Sequence, residues 1–389
     1  MQLWNHPEGA ESVWNCRVGM RKLIFPQYST HLFTQRVVLF IVTSMLLVVG
    51  CSQSDSSTGL ITTEDSGNPF SLGRVGNPQN SEAEPKPGVL LMGGSRDVDQ
   101  AMRWLTEQSD NGDIVVIRAT GADGYNQYLL DLGEANSVET LLINSHEAAN
   151  DSRVSETIRK ADALFIAGGD QSNYMNYWSN SETEEAIQYL IHERGVPIGG
   201  TSAGTAVMGE FVFTALNGGV TSNEALSNPF DERVTVQRSS LINHPLLKGV
   251  ITDQHFSERE REGRTVVFIA RIIEQYGGSG FDTHLRAVAV DERTALIIDE
   301  NGEMNIMGEN QVSFIYPIEE NPDFVVFSSG EPFTWGTDSY PIGVFRADQN
   351  SVLSFSFLEK PGKWNELWNV QNGQLIRQLN KSDDASNYE

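Results

Sequence analysis

Cysteine is nearly absent from this 389-residue chain: its two cysteines, Cys16 and Cys51, both stand ahead of any stretch able to fold. A disulfide framework, a thiolate metal site and a cysteine nucleophile are therefore excluded from the body of the chain. Basic residues are also scarce, 27 Lys and Arg against 52 Asp and Glu, giving a formal net charge of -25. Such a surface repels phosphate and argues against nucleic acid as a partner. No G-x-G-x-x-G fingerprint and no G-x-x-x-x-G-K-S/T loop occurs, so nucleotide binding has no support, and no cofactor or metal is expected.

The apolar run from Val37 to Gly50 is shorter than the roughly 20 residues of a membrane-spanning helix, but it suits the apolar core of a secretory signal. Val48-Val49-Gly50-Cys51 resembles a bacterial lipobox, so residues 1–50 are expected to be a lipoprotein-type signal peptide, with Cys51 as the lipidated residue. The chain would then be anchored in the cell envelope, on the outer membrane or the periplasmic or extracellular side. Residues 51–87 are rich in Ser, Gly, Asn, Pro and Glu and read as a flexible tether.

From residue 88 short apolar runs alternate with amphipathic segments: "GVLLMGG", "DIVVIRAT", "VETLLIN", "ADALFIAGGD" and "GVPIGGTSAG". Nearly continuous apolar strands separated by helices predict an α/β, doubly wound, mostly parallel sheet over 88–317. Glycine pairs at Gly93-Gly94, Gly168-Gly169 and Gly199-Gly200 close several runs, where a ligand-binding rim forms in open α/β sheets. Beyond about residue 285 the pattern turns to antiparallel strands, and residues 318–389 read as a small β-rich extension.

Gly200-Thr201-Ser202-Ala203-Gly204 fits G-x-S-x-G between an apolar strand and a helix-compatible run, the context of a nucleophile elbow. A serine hydroxyl needs a base, and the base an orienting carboxylate. His255 is the strongest candidate base: it follows an apolar run and precedes Ser257 and Glu260, an S-x-x-E capping box expected to open a helix. His192 and His244 read as surface residues. The amide of Ala203 and one from the Gly168-Gly169 loop are placed to receive an oxyanion. Arg259, Arg261 and Arg264 gather at the start of the same predicted helix, against its dipole, which an anionic ligand or interleaved salt bridges would explain.

Three motifs in this order, "AGGDQ", "GGTSAGTAVMGE" and "DQHFSEREREGR", resemble the cyanophycinase and peptidase S51 family over about residues 88–315. The resemblance implies a class I glutamine-amidotransferase-like (flavodoxin-like) fold and hydrolysis of aspartyl or β-aspartyl bonds, with a peptide or cyanophycin-like polymer as substrate. It implies Ser202 as nucleophile, His255 as general base and acid, and a glutamate between them, for which Glu224 fits best while Glu210 and Asp231 remain alternatives. With this mechanism the oxyanion amides are expected at Gly169 and Ala203, as read above from the loop and the helix start. Gln171, Asp253, Gln254, Arg259, Arg261 and Arg264 would line the substrate pocket, and a homodimer is suggested. Two readings compete: an α/β-hydrolase-type esterase, which shares the elbow, and a catalytically silent lipid-anchored binding protein.

Overall fold

The apolar runs become strands, and their alternating side chains cover both faces of a sheet. The computed structural model describes residues 67–277, 285–319 and 324–380, which belong to one compact unit. The signal segment 1–50, Cys51 and the tether as far as residue 66 lie outside the described residues.

The chain runs β1 (Ser71–Gly76), β2 (Gly88–Met92), α1 (Asp99–Gln108), β3 (Asp113–Arg118), α2 (Gly124–Leu132), β4 (Ser137–Leu142), α3 (His146–Ala149), α4 (Ser152–Arg159) and β5 (Ala163–Ile166). It continues through α5 (Gln171–Trp178), α6 (Glu182–Tyr189), β6 (Pro197–Thr201), α7 (Ala203–Ala206), β7 (Phe211–Phe213), α8 (Ser222–Ser227), β8 (Val236–Arg238), β9 (Val250–Gln254) and α9 (Glu262–Tyr276). Seven strands complete it: β10 (Arg286–Val290), β11 (Thr294–Asp299), β12 (Met304–Gly308), β13 (Val312–Pro317), β14 (Ile342–Ala347), β15 (Glu366–Gln371) and β16 (Gln374–Leu379).

The strands form two eight-stranded sheets rather than the single sheet expected. In the first, with order β1-β4-β3-β5-β6-β2-β11-β12, the five strands from β4 to β2 run parallel. Leu90, Met92, Ile114, Val116 and Phe165 face α1 and α2, while Val89, Leu91, Ile117, Leu164 and Ile166 face α3 to α6. This double coverage is why these strands read as unbroken apolar runs. In the second sheet, β9 runs parallel to β10 and to β7, and the other pairs are antiparallel. Val288 and Val290 of β10 join the core under the first sheet, whereas Ala287 and Ala289 pack toward α9. The sheets therefore share one core.

Two expected boundaries change. Residues 71–76, assigned to the tether, form an edge strand: Arg74, Val75 and Gly76 pair with Glu139, Val138 and Ser137 of β4. Of the expected extension 318–389, the described residues 324–380 are not separate, because β14 pairs with β13 and brings β15 and β16 into the second sheet. Trp335 and Trp368 are fully buried in the same cluster as Phe268 and Ile269 of α9. Burying two indoles there contributes several kcal/mol, since each large apolar side chain contributes about 1.5–3 kcal/mol. Helix α9 also starts later than expected: Ser257–Arg259 is a 3-10 turn, Glu260 has φ 49°, and no side chain caps α9. The Ser257–Glu260 capping box does not form because the left-handed Glu260 breaks the helix path between them.

Candidate active site

Ser202 follows the last residue of β6 and precedes α7, with φ 52° and ψ -120°. A non-glycine residue there carries strain of about 1–3 kcal/mol, which neighbouring structure must hold. Close packing does so. A Cβ on Gly204 would lie 2.0 Å from the Ile166 carbonyl oxygen, and one on Gly200 2.7 Å from the Gly204 carbonyl carbon. The motif's two glycines are thus required by the crossing of chain segments beneath the serine. Thr205 Oγ1 lies 2.7 Å from the Met92 carbonyl and 2.8 Å from that of Gly200, fastening the turn to β2.

Three successive carbonyls assemble the site. Met92 accepts from the Ser202 amide at 3.1 Å, Gly93 from the His255 amide at 2.9 Å, and Gly94 from the Arg293 amide at 3.0 Å. The segment after β2 therefore ties together the elbow, the β9–α9 loop and the β10–β11 turn. Ser202 Oγ lies 2.7 Å from His255 Nε2, and His255 Nδ1 lies 2.7 Å from Glu292 Oε1. With the proton on Nδ1, His255 donates to Glu292 and its Nε2 accepts from the serine. Gly94, at φ 96°, leaves the space for this pair: a Cβ there would stand 2.6 Å from His255 Nε2 and 2.9 Å from Ser202 Cβ.

Burial pulls the His255 pKa below 6.5, and the hydrogen bond to Glu292 offsets part of that fall. The imidazole is accordingly neutral, and able to accept a proton, at neutral pH. The same hydrogen bond holds the Glu292 carboxyl below its ordinary range, so it is ionised there.

Glu292 replaces Glu224 as the carboxylate behind the ring. Glu224 caps α8 instead: its Oε2 accepts from the Thr221 amide at 2.9 Å, and its Oε1 from Arg233 Nη1 at 2.8 Å. The alternatives are occupied too. Glu210 pairs with Arg238 and accepts from the Gly249 amide, and Asp231 pairs with Arg233. The signal for Glu292 is its place two residues past "AVAV", the strand β10 that runs parallel to β9 with Val290 opposite Gln254. Parallel neighbours end on the same rim, so Glu292 emerges beside His255. Reading residues past 285 as antiparallel strands hides this.

The expected substrate residues separate into two groups. Asp253 is 1% exposed and accepts from Arg264 Nε at 2.9 Å, Thr265 Oγ1 at 2.8 Å and Arg261 Nη1 at 3.2 Å. Burial alone would raise its carboxyl pKa, but the Arg264 and Arg261 guanidiniums hold it low. Arg264 is itself buried, its guanidinium lying over the rings of Phe213 and Phe268, which stack on each other. Asp253 and Arg264 thus form an internal ion cluster at the start of α9 and do not line a pocket as expected, because each satisfies the other. Arg261 is mostly committed as well, donating to the Gln254 carbonyl at 2.6 Å. Arg259, by contrast, lines an open cavity of about 790 Å³ with Ser257, Ser222 of α8, and Gln374 and Arg377 of β16. Gln254 is 4% exposed with its Oε1 lacking a partner, and Gln171 opens α5 half-buried.

A second cavity, about 420 Å³, is lined by Ser95, Asp97, Arg118, Tyr125 and Tyr128. Burial raises the Asp97 carboxyl pKa, and Tyr125 donates to it at 2.8 Å. The loop after β5 passes beside the serine: a Cβ on Gly168 would be 3.3 Å from Ser202 Cβ. The Gly169 amide has no backbone acceptor among the described residues, and the Ala203 amide, first in α7, has no intrahelical one. Among the described residues no group of three or more His, Cys, Asp or Glu side chains is arranged to hold a metal ion. His244, read above as a surface residue, is 7% exposed, its Nδ1 accepting from the Leu246 amide.

A strained serine, a neutral imidazole and an ionised carboxylate in hydrogen-bonded series, on the rim of an α/β sheet, define the constellation shared by acyl-transferring hydrolases. The chain belongs to Peptidase family S51, whose family model matches residues 89–302. It is 28% identical over 185 residues to a cyanophycinase of Nostoc sp. and equally to one of Trichormus variabilis, covering 48% of this chain and 55% of each relative. The chain thus spans about half the length of these relatives. A cyanophycinase of Geminocystis herdmanii is 23% identical over 241 residues, covering 59% of this chain and 80% of the relative. Among solved structures, a peptidase from an acI-B1 Actinobacterium aligns at 15% identity with a TM-score of 0.42, over 59% of this chain and 91% of that one.

Proposed function

We propose that this chain is a serine-type peptidase that cleaves aspartyl or β-aspartyl (isopeptide) bonds, cyanophycinase-like, through an acyl-enzyme on Ser202. The observation that carries the reading is the unbroken series Ser202 Oγ, His255, Glu292, with both links at 2.7 Å. Ser202 Oγ attacks the scissile carbonyl carbon while His255 Nε2 takes the hydroxyl proton. The Gly169 and Ala203 amides receive the oxyanion. Glu292 fixes the tautomer and stabilises the imidazolium, which then protonates the leaving amine as the C–N bond breaks. Water, deprotonated by His255, attacks the acyl-enzyme, and the serine recovers its proton as the acid product leaves. The guanidinium of Arg259, four residues past His255 and lining a cavity with Ser257, supports recognition of an acidic group in the substrate.

The apolar segment ahead of Cys51 supports a lipid anchor in the cell envelope, and the family suggests a homodimer. Incubation with cyanophycin and a panel of α- and β-aspartyl peptides, followed by mass analysis, tests the activity. Release of aspartyl products by the wild type and none by Ser202→Ala is expected, and hydrolysis persisting in Ser202→Ala would remove the serine from the reaction.

A further inference from the structure

The opposite end of the first sheet holds a cavity that the proposed peptidase chemistry does not use. It has a volume of about 230 Å³ and lies at the amino-terminal ends of β3 and β4, lined by Arg74, Asp113, Ser137, Glu139, Thr157 and Lys160. Ser202 stands past the carboxyl end of β6, so a strand length of roughly 15 Å or more separates the two places.

Charge within this cavity is incompletely paired. Asp113 is satisfied, accepting from Arg74 Nη2 at 3.2 Å, Asn136 Nδ2 at 2.7 Å and Ser137 Oγ at 2.6 Å. Glu139 is not: it is 5% exposed, and its Oε1 is buried with no hydrogen-bond partner. Directly across the β1–β4 pair, Arg74 also has its Nε buried and unpartnered. Lys160 adds an exposed ammonium at the edge. A buried carboxylate oxygen without a hydrogen bond is costly, and the strand register keeps Glu139 facing this space.

These groups select the occupant. The volume falls below the roughly 300–1,000 Å³ of sites for drug-sized ligands, so the molecule is small. A carboxylate asks for a cationic donor, while Arg74 Nε and Lys160 ask for an anionic acceptor. Phosphate compounds meet Glu139 and Asp113 unfavourably, and a bare metal cation meets Arg74 and Lys160. We propose that this cavity binds a free α-amino acid, its ammonium on Glu139 and its carboxylate on Arg74 and Lys160, at a site separate from Ser202.

Calorimetric titration of the full chain with L-alanine, L-aspartate and L-arginine tests this, using Ser202→Ala protein alongside wild type so that the result does not depend on the peptidase reading. Saturable binding of at least one amino acid is expected, equal in Ser202→Ala and weakened at least tenfold in Glu139→Gln and in Lys160→Ala. The N-acetyl derivative of that amino acid should not bind. Ligand-free Glu139→Gln should melt at or above the wild-type temperature, since it replaces a buried carboxylate oxygen that has no hydrogen-bond partner. No binding up to about 10 mM, undiminished binding in Glu139→Gln, or a lowered melting temperature for that variant would each overturn the proposal.

Discussion

Glu292→Gln keeps the shape of the side chain but removes the charge that accepts from His255 Nδ1 at 2.7 Å. An amide presents either oxygen or nitrogen to that position, so the ring loses both its fixed tautomer and the anion that stabilises imidazolium. Where the corresponding carboxylate is buried, such a change costs about 10⁴-fold in kcat. The Glu292 side chain is 20% exposed and solvent screens part of its field, so a loss of about 10²- to 10³-fold is expected. That corresponds to about 3–4 kcal/mol of barrier. Steady-state hydrolysis of an aspartyl substrate measures it, with Glu224→Gln as control. Among the described residues the Glu224 side chain bonds to Thr221 and Arg233 and not to His255, so Glu224→Gln should retain turnover within a few-fold. Full turnover in Glu292→Gln together with collapse in Glu224→Gln would refute the assignment.

Because burial lowers the His255 pKa, kcat/KM should be flat near neutral pH and fall only as pH drops through a value below 6.5; since Glu292 raises that pKa, the acid limb of Glu292→Gln should move lower still. Gly94→Ala forces a Cβ within 2.5 Å of the His255 ring at φ 96°, so activity should fall at least about 100-fold while the circular dichroism spectrum stays close to wild type. Asp253→Asn leaves Arg264 buried without its counter-ion and should cost about 3–5 kcal/mol in denaturant unfolding. His244, whose pKa burial lowers to about 4, contributes stability that is full above pH 6.5 and lost as pH falls through 4. The loss amounts to about 3 kcal/mol, and His244→Asn should remove that part of the acid sensitivity, as read from melting temperatures across pH 4–7.

The features legible in the sequence are those that local chemistry determines. The elbow was readable because strain at Ser202 demands small residues within two positions, and His255 because it ends an apolar strand. Glu292 was hidden, since its role follows from β9 and β10 lying parallel across an intervening helix, a pairing absent from the residues nearby. Asp253 and Arg264 looked like ligand-binding residues because the charges that neutralise them are eleven positions apart, and only the fold shows that they meet. For the same reason β1 was hidden in the tether and the β-rich segment after 318 could not be placed in the second sheet, as such strands take their position from distant partners such as β4 and β13.

The central claim is that Ser202 is a hydroxyl made nucleophilic by His255. Intact-protein and peptide mass spectrometry after exposure to a fluorophosphonate probe tests it most directly. A single adduct on Ser202, slowed in Glu292→Gln and absent in His255→Ala, is the predicted result; no adduct on Ser202 in protein that still hydrolyses aspartyl peptides would contradict it.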